Sequence, residues 1–300
     1  MIEMENQVTK NIDKLEERNM KVLVTGVKGQ LGYDVMKCLA ERNIEAVGAD
    51  IEEFDITDYE QTRTFIINAK PDAVIHCSAY TAVDKAEENL ELCEKVNAEG
   101  PENIAKVCKE LDAKMIYIST DYVFPGDGEH FYETEDEKKP LGVYGSTKLK
   151  GELAVQKLLE KYFIIRVSWV FGKNGNNFVK TMIRLGKEKE EITVVGDQIG
   201  SPTYTKDLAP LLCDMVVTEK YGVYHATNEG ICSWAEFAEK IMEYGGCKAK
   251  IKAITTEEYG AKAPRPKNSR MSKEKLTANG FHKLPTWEDA LKRYIEEIAE

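Results

Sequence analysis

The stretch that decides the fold runs from Lys21 to Gly32 and reads KVLVTGVKGQLG. Its first half is a continuous, largely β-branched apolar run, which is typical of a buried strand. Its second half contains three glycines, Gly26, Gly29 and Gly32, which permit a tight turn and a close approach of the backbone to a ligand. A helix that begins here presents free N–H groups and a partial positive charge, which suit a pyrophosphate. The stretch therefore predicts a strand, turn and helix that bind a dinucleotide.

Beyond this stretch, short apolar runs alternate with helical patterns. The predicted strands are KVLVTG, IEAVGAD, AVIHCSA, KMIYIST and YFIIRVS, and the predicted helices cover 30–42, 58–69, 84–110 and 144–160. Continuous apolar strands separated by helices indicate a parallel sheet that is covered on both faces. We therefore expect an α/β fold with a doubly wound, Rossmann-like parallel sheet. In such sheets, ligands bind beyond the carboxyl ends of the strands.

The regular alternation fades beyond Gly172. There a Gly- and Asn-rich segment, FGKNGNN, precedes a short strand EITVVGD and a loop APRPKNSR. We assign 20–171 to a dinucleotide-binding domain, to which some later segments return. Residues 172–300 are assigned mainly to a smaller C-terminal lobe that binds the substrate. Residues 1–19 form a polar extension without the apolar stretch of a signal peptide, and they receive no catalytic role.

The composition excludes several kinds of partner. The chain of 300 residues carries a formal net charge of −11, which repels phosphate backbones, so nucleic acid is excluded. No window approaches the roughly 18 apolar residues of a membrane span, which excludes membrane insertion. The seven cysteines form no C-x-x-C pair and predict reduced thiols in a cytoplasmic protein. The four histidines lack ligand spacing, so no metal site is predicted from them.

The end of the second predicted strand bears on the choice of cofactor. Asp50 stands there, where a carboxylate can hold the ribose hydroxyls of a dinucleotide. The same carboxylate would repel a 2′-phosphate and so favours NADH. Lys28, in the glycine loop, weakens this preference because its charge is attractive to a phosphate. We therefore expect NADH or NADPH to be used, with NADH slightly favoured.

Three tyrosine–lysine pairs share the spacing Tyr-x-x-x-Lys, so the spacing alone decides nothing. They are Tyr33 with Lys37, Tyr144 with Lys148, and Tyr244 with Lys248. The first pair follows the glycine loop, toward the pyrophosphate end of a dinucleotide, and the third is interrupted by two glycines. The second falls at the start of a new helix, where positions four apart share one face. Only Tyr144 and Lys148 suit hydride chemistry.

A hydroxyl at the end of the fourth predicted strand completes a catalytic set. Ser119 and Thr120 end that strand, where a hydroxyl can hold a substrate carbonyl oxygen. A free tyrosine has a pKa near 10, but a lysine ammonium stabilises its phenolate. Tyr144 can then protonate the oxygen when hydride reaches the carbonyl carbon. Lys148 would also bind the nicotinamide ribose.

Short segments from Lys21 nearly to the C-terminus carry a more specific signal. They are GQLG, SAYTAVDKAE, VNAEG, STDYVFPG, YGSTKLKGE, RVSWVFG, DQIGSPTYTKDLA and RPKNS. With these segments, the chain resembles the dTDP-4-dehydrorhamnose reductases of the extended short-chain dehydrogenase/reductase family. The resemblance implies NAD(P)H-dependent reduction of the 4-keto group of dTDP-4-dehydro-L-rhamnose to dTDP-L-rhamnose, a precursor of cell-surface polysaccharide.

The resemblance also implies a set of site residues. The catalytic residues would be Thr120, Tyr144 and Lys148. The substrate-binding residues would be Thr120, Asp121, Tyr122, Trp169 and Arg265, with aromatic rings against the deoxysugar and the guanidinium at the nucleotide diphosphate. The cofactor-binding residues would be Gly26, Gly29, Gln30, Leu31, Gly32, Asp50, Asp55, Ile56, Ala79, Tyr80, Thr81, Asn97, Tyr144 and Lys148.

Related activities share parts of this pattern. Sugar-nucleotide 4,6-dehydratases usually have an Asp-Glu pair directly after the catalytic threonine, whereas here Asp121 is followed by Tyr122, which excludes dehydration. The alternatives are another nucleotide-sugar 4-ketoreductase, an epimerase, or a non-catalytic subunit like the regulatory subunit of methionine adenosyltransferase. The configuration of the product at C4 stays open. A homodimer and a bound Mg²⁺ also stay open, since no acidic cluster is mapped for them.

Overall fold

The computed structural model describes residues 20–299, and the predicted polar extension 1–19 lies outside the described residues. The strands are β1 (Lys21–Thr25), β2 (Glu45–Ala49), β3 (Ala73–His76), β4 (Lys114–Thr120), β5 (Tyr162–Val167), β6 (Val170–Phe171), β7 (Glu191–Val195), β8 (Ile199–Gly200), β9 (Thr203–Tyr204), β10 (Gly222–His225), β11 (Cys232–Ser233) and β12 (Lys250–Ile254).

The α-helices are α1 (Gln30–Glu41), α2 (Tyr59–Ala69), α3 (Val83–Ala86), α4 (Leu90–Glu94), α5 (Gly100–Leu111), α6 (Val143–Leu158), α7 (Phe178–Glu188), α8 (Thr205–Val216), α9 (Trp234–Tyr244), α10 (Thr256–Tyr259), α11 (Glu274–Ala278) and α12 (Trp287–Ala299). A π-helical turn, Lys95–Glu99, separates α4 from α5, and a 3₁₀ turn, Asp121–Val123, follows β4.

The centre of the fold is a six-stranded sheet in the order β10-β5-β4-β3-β1-β2. Each neighbouring pair in this sheet is parallel. The chain builds outward from β1 to β2 and then returns to the other side of β1 with β3. This reversal is the place where doubly wound sheets bind their ligands. The α/β fold with a doubly wound parallel sheet, predicted from the sequence, is confirmed.

Successive side chains of each central strand pack on opposite faces of the sheet. In β1, Val22 and Val24 belong to a core that contains residues of α1 and α8. Leu23, between them, belongs to a second core with residues of α2, α5 and α6. All three side chains are fully buried. This cover on both faces explains why the strands read as continuous apolar runs rather than as alternating patterns.

The predicted helix over 84–110 is wrong in its continuity, because the structure divides this span into α3, α4, a π-helical turn and α5. Pro101 supplies a physical reason for the irregular turn, since it has no N–H to donate to the carbonyl of Asn97. That carbonyl instead accepts a hydrogen bond of 3.2 Å from the hydroxyl of Tyr117. The turn thus places Asn97 beside β4, close to the carboxyl ends of the strands.

The second half of the chain contributes both to the sheet and to a separate core. Strand β10, which the sequence analysis did not identify, pairs with β5 at the edge of the sheet. The remaining segments form a smaller lobe whose core includes Phe171, Phe237, Trp287 and Tyr294, all buried. β7 and β12 pair in parallel within this lobe. The lobe contains the predicted short strand EITVVGD and stands on the carboxyl-end side of the sheet, where it closes over the ligand edge.

Residues 20–299 contain no candidate membrane span and no cluster of metal-ligating side chains. None of the helices in this range is long and apolar enough to cross a membrane. No group of three or more metal-ligating side chains occurs in this part of the chain. The seven cysteines, all within it, are free thiols.

Candidate active site

A cleft of about 680 Å³ lies between the carboxyl ends of the sheet strands and the smaller lobe. The glycine loop and the ends of β2, β3, β4 and β5 form its floor. Helix α6 forms one side, and Trp234 and Arg265 approach from the smaller lobe. The cleft therefore lies at the edge of the sheet where the topology predicts a ligand.

The glycine loop is shaped to receive a phosphate group. Gly26 has a φ of +71°, and a Cβ there would lie 2.8 Å from the main-chain nitrogen of Ser78. A Cβ on Gly32 would lie 2.3 Å from the carbonyl oxygen of Gly26, so this glycine lets α1 pack against the loop. Helix α1 begins after Gly29 without a side-chain cap and without an acidic residue in its first turn. Its first N–H groups are therefore available to an anion, and the residues present fit a dinucleotide pyrophosphate.

The carboxylate of Asp50 is fixed at the end of β2. It accepts a hydrogen bond of 2.9 Å from the main-chain N–H of Lys28 and another of 2.9 Å from that of Ile51. The ammonium of Lys28 forms an ion pair of 2.6 Å with Glu52. Lys28 and Asp50 both line the cleft, so a ribose bound here would meet the carboxylate with the lysine beside it.

A smaller cavity adjoins the cleft and shares Asp50 and Ala79 with it. Three of the predicted cofactor-binding residues, Asp55, Ile56 and Tyr80, line this cavity. The carboxylate of Asp55 accepts bonds of 2.8 Å from the N–H and from the hydroxyl of Thr57. Asp55 therefore holds its own turn in shape, while Ile56 presents an apolar side chain to the cavity.

The proposed acid and its neighbouring hydroxyl meet inside the cleft. Tyr144 stands in the first turn of α6, and Thr120 is the last residue of β4. Burial raises the pKa of Tyr144, while a hydrogen bond with the Thr120 side chain acts in the opposite direction. The Thr120 hydroxyl also donates a bond of 2.9 Å to Asp121. Tyr144 is thus held in its protonated form at neutral pH, as a proton donor must be.

Lys148 lies one turn after Tyr144 on the same face of α6. Its ammonium donates a hydrogen bond of 2.7 Å to the carbonyl of Ile118 and lies 4.1 Å from the ring centroid of Tyr117. Burial lowers the pKa of Lys148 to about 7, although the nearby Glu152 raises it. The ammonium form is therefore poised near neutral pH, where small changes in its surroundings alter its charge.

Asp121 is a buried carboxyl group in the wall of the cleft. Its two oxygens accept hydrogen bonds from the hydroxyls of Thr120 and Ser269, at 2.9 and 2.5 Å. Burial raises the pKa of Asp121 to about 6, and these hydrogen bonds limit the rise. Asp121 therefore ties the end of β4 to the loop that contains Ser269.

Three aromatic rings, those of Tyr122, Trp169 and Trp234, line the cleft. Tyr122 meets Tyr144 edge-on, with ring centroids 5.4 Å apart. Trp169 stacks on Trp234, with ring centroids 3.8 Å apart and an interplanar angle of 17°. Trp169 has a φ of +50°, which is a strained conformation for an aromatic residue, and such strain is typical of functional sites. On its other side, Trp169 packs so closely on Gly200 that a Cβ there would lie 3.0 Å from the indole.

Most of the predicted site residues come together in this arrangement. The cleft is lined by Gly26, Gly29, Gln30, Leu31, Asp50, Ala79, Thr81, Thr120, Asp121, Tyr122, Tyr144, Lys148, Trp169 and Arg265. Two predicted cofactor residues, Gly32 and Asn97, line neither cavity. Gly32 acts through the packing described above. Asn97 is fully buried and exchanges bonds of 2.8 and 3.0 Å with the main chain of Tyr80, so it supports the wall rather than forming it.

The rejected tyrosine–lysine pairs lie elsewhere. Tyr33 and Lys37 do not line the cleft, although the lysine lies 5.4 Å from the tyrosine ring. Tyr244 is the last residue of α9, so Lys248 lies beyond the helix.

Sequence reasoning missed several residues that line the cleft, above all Ser78, Asn177 and Trp234. A signal for Trp234 was available, since Ser233 and Glu236 form a capping box that starts α9 and places the tryptophan in its first turn. The amide of Asn177 donates a 2.9 Å bond to Gln30, which links the smaller lobe to the glycine loop. That link depends on tertiary structure and has no local signal.

A Rossmann-like sheet, a glycine loop, a strand-end threonine and a Tyr-x-x-x-Lys helix surround one cleft. This combination defines the extended short-chain dehydrogenase/reductases. Within that class, residues 20–300 match the family model described as the RmlD substrate binding domain, and the chain belongs to this family.

Relatives agree with this membership. The spore coat polysaccharide biosynthesis protein SpsK of Bacillus subtilis is 40% identical over 277 residues, which cover 92% of this chain and 97% of that protein. The dTDP-4-dehydrorhamnose reductase of Escherichia coli is 36% identical over 293 residues, which cover 93% and 98% of the two chains. The solved structure of dTDP-4-dehydrorhamnose reductase from Bacillus anthracis in complex with NADP has a TM-score of 0.91 and 45% identity, with 93% of this chain and 99% of that chain covered.

Proposed function

We propose that the chain reduces the 4-keto group of dTDP-4-dehydro-L-rhamnose to dTDP-L-rhamnose, with NADH or NADPH as the reductant. The observation that carries the proposal is the convergence of Thr120, Tyr144 and Lys148 on one cleft that begins at the glycine loop. The relatives from E. coli and B. anthracis, both dTDP-4-dehydrorhamnose reductases, support the choice of substrate. The relative in complex with NADP supports a nicotinamide cofactor.

The glycine loop and Asp50 would hold the cofactor. The open N-terminus of α1 would bind the pyrophosphate, and the carboxylate of Asp50 would accept hydrogen bonds from the adenosine ribose. Lys148 would bind the nicotinamide ribose. When bound, the reduced nicotinamide supplies the hydride.

Tyr144 is the proton donor in this proposal. Reduction turns the C4 carbonyl oxygen into an alkoxide, which takes the phenolic proton of Tyr144. On substrate binding, the Thr120 hydroxyl would turn from Asp121 to donate its hydrogen to the same oxygen, and its contact with the phenol would align the acceptor with the donor. Lys148, in its ammonium form, stabilises the phenolate that remains. Bulk solvent then returns a proton to Tyr144.

The aromatic rings and one arginine would bind the nucleotide sugar. Tyr122 offers an apolar ring, and Trp169, which packs between Trp234 and Gly200, offers an apolar edge; both suit the C–H surface and the methyl group of a deoxysugar. Trp234 supports Trp169 from the smaller lobe. Arg265 offers a planar set of donors that suits a diphosphate. Asp121 holds the end of β4 in place beneath them.

We further propose that the two parts of the chain divide these tasks. Residues 20–171, with α8 and β10, bind the dinucleotide and contribute Thr120, Tyr122 and Trp169 to the sugar site, and the rest of 172–300 forms most of the remaining substrate lobe. We also propose a cytoplasmic location, which the seven free thiols support because such thiols are typical of a reducing compartment.

Cofactor stoichiometry tests the proposed reaction against epimerisation. The purified protein, with dTDP-4-dehydro-L-rhamnose generated in situ, should oxidise one molecule of NADH or NADPH for each molecule of substrate consumed. An epimerase would convert the sugar while the total of reduced cofactor stays constant. A chain that binds the cofactor but consumes neither compound would contradict catalysis altogether.

A further inference from the structure

A single acidic side chain holds the arginine that faces the cleft. Residues 260–270 form a loop, here called the arginine loop, that reaches the cleft from the smaller lobe. Within it, Arg265 donates a hydrogen bond of 2.6 Å from Nη2 to Oδ2 of Asp84. The other carboxylate oxygen of Asp84 accepts a bond of 3.2 Å from the main-chain N–H of Ala263. Asp84 therefore fixes both the guanidinium of Arg265 and the backbone two residues before it.

The guanidinium retains a donor that the fold does not use. Nε of Arg265 is buried and has no hydrogen-bond partner among the described residues. Arg265 lines the cleft together with Tyr122, whose pKa is raised by burial, while the charge of the guanidinium and a hydrogen bond between the two side chains act in the opposite direction. A buried N–H without a partner costs free energy, so its persistence beside a ligand cleft points to an acceptor supplied by the ligand.

The backbone around Arg265 is rigid. Pro264 and Pro266 flank it, and each proline ring fixes its own φ near −65°. Pro266 packs closely on Gly126, where a Cβ would lie 2.4 Å from the proline Cβ. The direction of the Arg265 side chain is thus restricted at its base by the prolines and at its tip by Asp84.

We propose that Asp84 is a positioning residue that holds Arg265 so that its free N–H donors bind the diphosphate of a nucleoside diphosphate sugar. The inference rests on the proposed function and assigns a role to a residue outside the catalytic set. A fixed guanidinium loses less conformational entropy on binding than a free one, so its affinity for the diphosphate is higher. Fixing the diphosphate also fixes the distance from it to the sugar carbonyl.

The contacts of Asp84 indicate that it positions Arg265 for the ligand rather than competing with the ligand for the guanidinium. Asp84 occupies only Nη2 of the guanidinium, and the Arg265 side chain keeps 22% of its surface exposed, so its other donors can reach an acceptor in the cleft. The segment that carries Asp84 also contacts the catalytic helix, since Glu87 accepts a bond of 2.8 Å from the N–H of Val143 at the start of α6. One short segment, residues 82–88, therefore contacts both Arg265 and the helix of Tyr144 and fixes their relative positions.

The test measures binding of dTDP, a nucleoside diphosphate without the sugar, by titration calorimetry. The variants are Asp84→Asn, Asp84→Glu and Arg265→Ala, and Glu88→Gln serves as the control. Glu88 belongs to the same segment and pairs with Lys262 of the arginine loop at 2.5 Å, so the control removes a similar charge pair without touching Arg265. NADH binding and thermal unfolding of each variant check that the cofactor site and the fold are intact.

We expect Asp84→Asn to weaken dTDP binding by about tenfold and Arg265→Ala by about tenfold to a hundredfold, in line with lost charge-assisted hydrogen bonds. The double variant should bind no more weakly than Arg265→Ala alone, because Asp84 acts through the arginine. Asp84→Glu should recover much of the affinity, and Glu88→Gln should stay near wild type. In turnover, Asp84→Asn should raise the KM for the sugar nucleotide and leave the KM for NADH unchanged.

Two results would overturn the inference and leave the proposed function intact. One is a wild type and an Asp84→Asn variant that bind dTDP equally. The other is tighter binding by Asp84→Asn, which would show that Asp84 competes with the ligand. A wild type that binds NADH but does not bind dTDP would instead contradict the proposed function, and the inference would fall with it.

Discussion

The ammonium of Lys148 donates a hydrogen bond of 2.7 Å to the main-chain carbonyl of Ile118. This bond joins α6 to β4, the strand that ends at Thr120. The helix of the proposed acid is thereby attached to the strand of the proposed hydroxyl. Both elements belong to the core of the sheet domain, so the relative positions of the catalytic groups are set by rigid structure rather than by a mobile loop.

Tyr144→Phe should reduce kcat by roughly 10²- to 10⁴-fold, the range for loss of a general acid. The phenyl ring keeps the edge-on contact with Tyr122, so binding of NADH should remain near wild type. Steady-state rates and NADH fluorescence titration measure the two effects. Tyr33→Phe is the matched control, since it removes a hydroxyl from a Tyr-x-x-x-Lys pair outside the cleft. A Tyr144→Phe variant that keeps most of its rate would remove the phenol as the acid.

The pH dependence of kcat/KM should report Lys148. Burial lowers its pKa to about 7, so in the free enzyme the ammonium form is lost as pH rises through that value. Because the ammonium stabilises the phenolate, kcat/KM should be higher below pH 7 and fall above it. The Lys148→Arg variant stays charged across this pH range, so its kcat/KM should not fall above pH 7. Its overall rate should be lower than that of the wild type. Asp121→Asn, which removes a carboxyl with a pKa of about 6, tests for a separate contribution on the acid side. A descending limb that survives in Lys148→Arg would contradict the assignment.

Asp50→Ala should move the cofactor preference toward NADPH. In the proposed cofactor site the carboxylate would face a 2′-phosphate, and repulsion between like charges opposes that cofactor. We expect the ratio of kcat/KM for NADPH to that for NADH to rise by about tenfold, since a like-charge contact near a surface costs on the order of 1 kcal/mol or more. An unchanged ratio would show that the carboxylate does not face the ribose.

Glu52→Gln should also move the cofactor preference toward NADPH, by a smaller factor than Asp50→Ala. Glu52 binds the ammonium of Lys28 at 2.6 Å and thereby neutralises the one cation of the glycine loop. Release of Lys28 toward a 2′-phosphate should lower the KM for NADPH by about twofold to threefold, as for other exposed ion pairs. The effect should disappear in high salt. The double variant Lys28→Met/Glu52→Gln should lose the gain, and a gain that persists there would assign it to another group.

A buried ion pair beneath the active site should dominate the stability of α6. Arg166 binds Glu152 through two bonds of 2.9 and 2.7 Å, and both side chains are 1% exposed. Glu152→Gln should lower the free energy of unfolding by about 3–5 kcal/mol, because the guanidinium stays buried without its counter-charge. Asp112→Asn, at the exposed pair with Lys161, should cost less than about 1 kcal/mol. Denaturant titration measures both. Equal losses in the two variants would contradict the special cost of the buried site.

The sheet was predictable because it depends on local patterns. Each central strand is buried on both faces, so its apolar run is visible without knowledge of its partners. Strand β10 was not predicted, because GVYH is short and follows a helix in the second half of the chain. Only its pairing with β5 identifies it as a strand. The interruption at Asn97 of the helix predicted over 84–110 was missed for a related reason. Its carbonyl is satisfied by Tyr117, which comes from a different element.

The residues of the site divide in the same way, into those that local sequence patterns identify and those that only tertiary contacts place. Gly26 and Asp50 directly follow strands and Thr120 ends one, so topology alone brings them to one edge of the sheet. Trp234 is placed in the cleft by its stacking on Trp169, and Asp84 acts on the cleft only through its bond with Arg265. Such contacts have no periodicity in the sequence. The diphosphate role of Arg265 is a prediction from the resemblance and from its cationic segment, whereas the carboxylate that holds the guanidinium became visible only in the structure.

The most direct test of the account follows a deuterium atom from the cofactor to the sugar. NADH deuterated at the transferred position of C4 is incubated with the protein and dTDP-4-dehydro-L-rhamnose, and the product is examined by NMR. The account predicts deuterium at C4 of the sugar in the rhamno configuration, together with loss of NADH. Deuterium that stays on the cofactor would contradict the proposed reductase, and deuterium at C4 in the talo configuration would contradict the proposed product.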